Sequence, residues 1–256
     1  MFASINHKKI PLKKKALFNW SSGKDAAFAL YKTLHNSEFE ISCLLTSVNQ
    51  QNQRISMHGV RVELLEQQAE RIGLPLEIMQ IPEMPTMEIY ENVMRETLTK
   101  LKKQGVTHSI FGDIFLDDLR KYREDILTEI GFEGVFPLWK IPTKDLIQEF
   151  IRLGFKTIVV CVNEQFLDQS FVGRIIDQSF INDLPKNVDV CGENGEFHTF
   201  TFDGPIFSKS IDFEIGEVVY RKYERPEKED SSDTASDTSA SDAFDFGFWY
   251  CDLVSI

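Results

Sequence analysis

The sequence predicts an α/β protein: a doubly wound, mostly parallel five-stranded sheet of Rossmann-like kind, followed by a smaller C-terminal α+β domain. Three observations lead there. Short apolar runs alternate with segments of helical spacing as far as Leu138. Glycines close those helical segments. Beyond about residue 187 the pattern changes to Gly-rich turns between alternating strands.

The elements follow in order. Lys15–Trp20 is short and apolar, as a buried parallel strand is. Ser21–Asp25 turns the chain, and Ala26–Leu34 carries one apolar helical face. Phe39–Ser47 reads as the second strand, Gly59–Ile72 as a helix closed by Gly73, and Leu76–Ile81 as the third strand. Thr86 is placed to cap a helix whose Met87, Tyr90, Val93, Met94, Leu98 and Leu101 form its buried side. Val106–Phe111 and Gly134–Leu138 are the fourth and fifth strands, flanking a helix at Leu119–Ile130. Thr143–Leu153 and Ser170–Phe180 are predicted helices, and Lys156–Val162 a strand between them. The expected division is residues 1–136 and 137–256.

Composition limits the function classes. With 42% hydrophobic and 27% charged residues, the chain is neither disordered nor fibrous. The net charge is −12, and half of it sits in Pro226–Asp245, which holds seven acidic residues and one Lys. That stretch is read as a disordered insertion in a hairpin between Ile211–Tyr223 and Phe246–Val254, because the aromatic run after it should pack back. An acidic body argues against a nucleic-acid partner. No run of 18 apolar residues and no leader pattern is present. Four well-separated cysteines fit a reducing, cytoplasmic setting.

The chemistry concentrates at strand ends, where ligands of such sheets bind. Ser21, Ser22 and Gly23 are small enough for closely spaced backbone N–H groups to cradle phosphate at a helix start, with Lys24 as a cation and Asp25 as a Mg²⁺ ligand or loop brace. Asp113, after Gly112, is a second carboxylate suited to Mg²⁺ or an amine. Arg120, Arg123 and Glu124 fall near one helical face, a candidate anion clamp. His58 precedes a helix, and Trp139 follows Pro137 at the domain junction. In Cys191–Thr199 the turn brings Glu193 and Glu196 together, and strand alternation puts His198 on the face of Glu196, so the pair could receive an ammonium or orient an amine.

The Ser21–Asp25 loop resembles the SGGKDS loop of the PP-loop ATP pyrophosphatases. The segments His58–Arg61, Phe111–Asp113 with Asp117–Glu124, Phe136–Trp139, Cys191–Thr199 and Asp203–Phe207 narrow the resemblance to the diphthine–ammonia ligase family, from about Lys15 to Val219. The resemblance implies ATP and Mg²⁺, with Asp25 and Asp113 as metal ligands, and His58 and Gly112 beside the nucleotide. It also implies ammonia and an unidentified carboxylate as substrates, joined as an amide through an acyl-adenylate. Lys24, Asp25, Asp113, Glu193 and Glu196 would be catalytic, and Arg120, Arg123, Glu124, Trp139 and His198 would bind substrate. A homodimer is compatible with all of this. Ser22 stands where the family has Gly, which suits a negative φ, and Ala26 where it has Ser. Two rival readings are a nucleotide-binding regulator with little catalysis, favoured by Ala26, and an ATP-dependent RNA-modifying enzyme, for which Cys191 is the candidate sulfur carrier.

Overall fold

A computed structural model describes residues 13–56, 58–222 and 246–256. The predicted insertion at 226–245 lies outside these residues. The first sheet has six strands. Five are parallel, in the order β4 (Leu76–Ile81), β2 (Phe39–Asn49), β1 (Lys14–Asn19), β5 (His108–Ile110), β6 (Glu133–Val135), and the two-residue β3 (Arg54–Ile55) pairs antiparallel with the end of β2. The order reverses direction between β1 and β5, which opens a crevice at their carboxyl ends.

Period-two alternation makes the sheet two-faced. Ala16 and Phe18 of β1 join one core with α1 (Lys24–His35) and α2 (Val62–Ile72), while Leu17 points to the opposite core with α3 (Met87–Lys103) and α4 (Asp117–Ile130). Thr86 caps α3 through its side chain, and Gly73 and Gly131 end α2 and α4 in the left-handed region.

The second sheet is antiparallel, in the order β8 (Phe197–Asp203), β7 (Lys156–Asn163), β10 (Gly247–Ser255), β9 (Phe213–Lys222). The predicted hairpin of the last two strands is therefore formed. α5 (Thr143–Arg152) precedes β7. The first core continues without a break from α1 and α2 into α5, β7 and β8, so the two sheets share buried side chains.

Three expectations need correction. The helix predicted over Ser170–Phe180 is a 3-10 turn at Gln169–Phe171 and a short α6 at Gln178–Asp183. Between them Gly173, Arg174 and Ile176 bond to the backbone of β7, and that pairing wins over helical propensity. The fifth strand stops at Val135 because Pro137 starts a turn, closed by Trp139 N to Phe136 O and Ile141 N to Leu138 O. Of the six residues predicted for the buried side of α3, Leu98 and Leu101 are buried, Tyr90, Val93 and Met94 are half-buried against the same core, and Met87 is 61% exposed.

Candidate active site

The β1–α1 turn is held by the second sheet. Thr201 N and Gln68 Nε2 both donate to Ser22 O, at 2.9 and 3.1 Å. Gln68, buried on α2, also donates to Thr201 O and accepts from Trp20 Nε1. Lys24 N donates to Thr199 Oγ1 at 3.0 Å, and His58 Nδ1–H donates to Thr199 O at 2.9 Å. Gly23 is required by this closeness: a Cβ there would lie 2.8 Å from His58 Cε1. Ser22 has φ +71°, against the expected negative value, and its hydroxyl is buried without a partner. Its two carbonyl bonds hold it in that conformation. Thr199 closes the Cys191–Thr199 motif, where it has no assigned role, and Thr201 and Gln68 lie outside every motif.

A cavity of about 1180 Å³ opens at the crevice between β1 and β5. Ser21, Lys24, Asp25, His58, Gly112, Asp113, Arg123, Glu193 and His198 all line it. Gly112 lies close enough to the Asp25 and Ala26 backbone that a Cβ would meet it at 3.0 Å. Asn19 Nδ2 ties the two strand ends by donating to Ser109 Oγ and Ile110 O.

Charge is dense at this end. Lys24 Nζ sits 2.6 Å from Asp25 Oδ2, with the Lys24 side chain only 4% exposed. Burial disfavours the Lys24 charge, but Asp25 and Glu193 outweigh it and hold the ammonium protonated above the usual lysine range. Burial pushes the Asp25 carboxyl up while Lys24 pulls it back. Burial and Asp25 push Glu193 up to about 8. Burial also raises Asp113, against the pull of Arg123. Arg123 Nη1 lies 2.8 Å from Asp113 Oδ2 but out of line for a hydrogen bond, so that buried oxygen has a countercharge and no donor. His58 and His198, with ring centres 4.9 Å apart, are held neutral, lowered to about 4 and about 3, mainly by burial.

The unmet Asp113 oxygen and the nearby Asp25 carboxylate are hard oxygen donors, the kind Mg²⁺ takes. Among the described residues no three His, Cys, Asp or Glu side chains are grouped to hold a metal.

Other predicted residues lie elsewhere. Glu196 is fully buried, and its carboxylate accepts from Asp189 N, Asn194 N and Asn194 Nδ2 at 2.8 to 3.0 Å. It holds the turn that presents Glu193 and does not line the cavity. Arg120 and Arg123 form no joint clamp. Arg120 pairs with Glu124 at 2.8 Å and packs against the Phe136 and Trp139 rings, away from the cavity. The structure also adds residues: Arg54, Tyr250 and Asp252 line the cavity, and Asp252 pairs with Arg54 and Arg61.

The diphthamide synthase N-terminal domain model matches residues 13–134, and the diphthamide synthase C-terminal domain model matches residues 142–226. The chain belongs to the diphthamide synthase family. Similar curated proteins are named diphthine–ammonia ligase: that of Bos taurus is 32% identical over 130 residues, covering 48% of this chain and 49% of the relative, and that of Homo sapiens is 31% identical over the same spans. The chain thus aligns with about half the length of these relatives. One solved structure, the U34-tRNA thiolase NcsA from Methanococcus maripaludis with its 4Fe-4S cluster, matches at 18% identity and TM-score 0.34, over 56% of this chain and 58% of that one. Among the described residues no helix is long and apolar enough to cross a membrane.

Proposed function

We propose that this chain is an ATP-dependent ligase that forms an amide from a carboxylate and ammonia. The observation that carries the reading is the meeting of Lys24–Asp25, Asp113–Arg123 and Glu193 in one cavity at the sheet's crevice. The family name of the relatives supports ammonia as the nitrogen donor.

A substrate carboxylate oxygen attacks the α-phosphorus of ATP, and the bond to the β-phosphate oxygen breaks. Lys24 and the turn beside it face the pyrophosphate that leaves, placing positive charge where negative charge develops. Mg²⁺, held by Asp25 and Asp113, would supply further charge compensation on the phosphates. Arg123 keeps Asp113 paired and lends a cation to the incoming carboxylate. Ammonia then attacks the acyl carbon, and AMP departs. Glu193 exchanges its proton near neutral pH, so its ionised form can accept one from the ammonium nitrogen.

Cys191 gives little support to the sulfur-transfer alternative. Its thiol is buried, donates to Thr143 O at 3.4 Å, and is pushed up by burial. The test is pyrophosphate release from ATP with ammonium and a pool of carboxylates. Release by the wild-type chain that Lys24→Ala lacks is the expected result, and equal release from both overturns the reading.

A further inference from the structure

The Ser21–Asp25 turn is held by β8. The tight turn that carries His58 is held by β10, through contacts that the proposed chemistry does not use. Arg54 and Arg61 pair across that turn, and Ile55 N donates to Val60 O within it. Asp252 grips both ends. Its Oδ1 accepts from Arg54 Nη1 at 2.8 Å and from Arg61 Nε at 3.0 Å, and its Oδ2 accepts from Arg61 Nη2 at 2.7 Å. Arg54 Nη1 donates at the same time to Gly59 O, 2.6 Å away. Gly59 has φ +69°, and a Cβ there would meet Tyr250 Cδ1 at 3.2 Å, so the residue after His58 lies directly on β10.

The β9–β10 pair is shaped for this grip. Cys251 pairs with Val218 and Leu253 with Ile215, so Gly216 and Glu217 together face the single residue Asp252. A bulge of this kind re-aims a side chain. Gly216 leaves it room, since a Cβ there would lie 3.3 Å from Asp252 Cβ. Burial raises the Asp252 carboxyl, but the bonds from Arg61 and Arg54 outweigh that and lower it to about 2. The carboxylate therefore stays charged. The family's C-terminal match ends at residue 226, and β10 lies beyond it.

The contacts run on from the gripped turn to the loop at β1. The His58 ring donates to Thr199 O, and its Cε1 lies so near Gly23 that a Cβ there would be 2.8 Å away. Gly23 is the residue before Lys24. We infer that Asp252 is a positioning residue for the Ser21–Asp25 turn, acting through Arg54, Arg61 and His58. The positioning follows from these contacts, and its effect on catalysis rests on the ligase reading above.

Two measurements on the full chain test it. Calorimetric ATP affinity is expected to weaken about tenfold in Asp252→Ala, the worth of a lost bond to a charged group, and kcat to stay within about twofold of wild type. The second readout is the His58 ring, followed by proton NMR and assigned with His58→Gln. In the wild-type chain it faces His198, Lys24 and the Thr199 carbonyl and titrates at about pH 4. Loosening the turn returns water to the ring, so the midpoint is expected to rise by about one unit or more. Arg61→Gln cuts the same carboxylate's bonds from the other side and should move both readouts the same way. Asp252→Asn keeps one acceptor oxygen and should fall between Asp252→Ala and wild type. A lowered melting temperature with ATP affinity and the His58 midpoint unchanged overturns the inference, because Asp252 is then only a brace. So does a change in Asp252→Ala that Arg61→Gln does not share. If Asp252→Ala fails to fold, Arg61→Gln and Asp252→Asn decide by the same criteria. A shifted His58 midpoint in a chain that releases no pyrophosphate upholds the positioning and removes the ligase reading. Pyrophosphate release with equal KM for ATP in wild type and Asp252→Ala, and an unmoved histidine, does the reverse.

Discussion

At the loop end of the cavity the chain has arranged its own polar atoms: Ser22 O has two donors, Thr199 serves both Lys24 N and His58, and Lys24 is paired with Asp25. At the α3–α4 end, apolar side chains packed against the second core line the same cavity. The contrast separates preorganisation from accommodation. Electrostatic work is cheapest when donors and charges are fixed beforehand, whereas an apolar pocket gains by shedding water as its ligand enters.

Disturbing the fixed end should therefore cost both stability and turnover. The largest effect is expected from Lys24→Ala, which leaves Asp25 without its cation: a loss of about 3–5 kcal/mol in folding stability at neutral pH. Pyrophosphate release should fall by on the order of a hundredfold or more. Adding Asp25→Asn to a Lys24→Met background should restore much of the stability in denaturant titration and none of the turnover. Next comes Gln68→Leu, which strips a partner from Trp20 Nε1 and Thr201 O; about 2–4 kcal/mol should be lost, with the KM for ATP rising as the turn loosens.

The two glutamates of one turn sharpen the comparison. Glu196→Gln weakens acceptance from three N–H donors and should cost about 1–3 kcal/mol, with turnover per folded molecule nearly kept. Glu193→Gln should do the opposite. In the folded chain Glu193 keeps its proton up to about pH 8, against an ordinary value of 4.5, so the folded state binds the extra proton between these values. Stability then falls as pH rises through that window. Thermal melts should show the decline in the wild-type chain and less of it in Glu193→Gln. With hydroxylamine as nucleophile, the rise in rate toward pH 8 should also disappear in the variant. The smallest effect is expected from Ser22→Gly, which relieves left-handed backbone at a non-glycine residue and should add about 1 kcal/mol to stability.

The parallel sheet was legible because glycines and prolines punctuate it, and the helix over Ser170–Phe180 was not, because its middle is claimed by β7 through pairing that a local window does not see. Ser21, Lys24, Asp25 and Glu193, each singled out by a motif, line the cavity, whereas Ser22 and Gly23 do not. Glu196 carries the same side chain as Glu193, three residues on, but its assignment depended on where Asp189 and Asn194 N–H groups point. Arg120 and Arg123 likewise share a helix, and only the positions of Asp113 and the Phe136–Trp139 rings set them apart. The stripe on α3 holds as a core-facing side from Tyr90 to Leu101 and fails at Met87, which lies exposed at the helix start. Periodicity reports which face avoids water, not whether protein covers it.

Thr199 acts as a pin through two walls. Because its hydroxyl and carbonyl grip the segments after β1 and after β3 at once, β8 cannot slide without dragging both. That side of the cleft behaves as an anvil. The opposite wall, where Met84 and Met87 lie exposed at the start of α3, is not held by that pin.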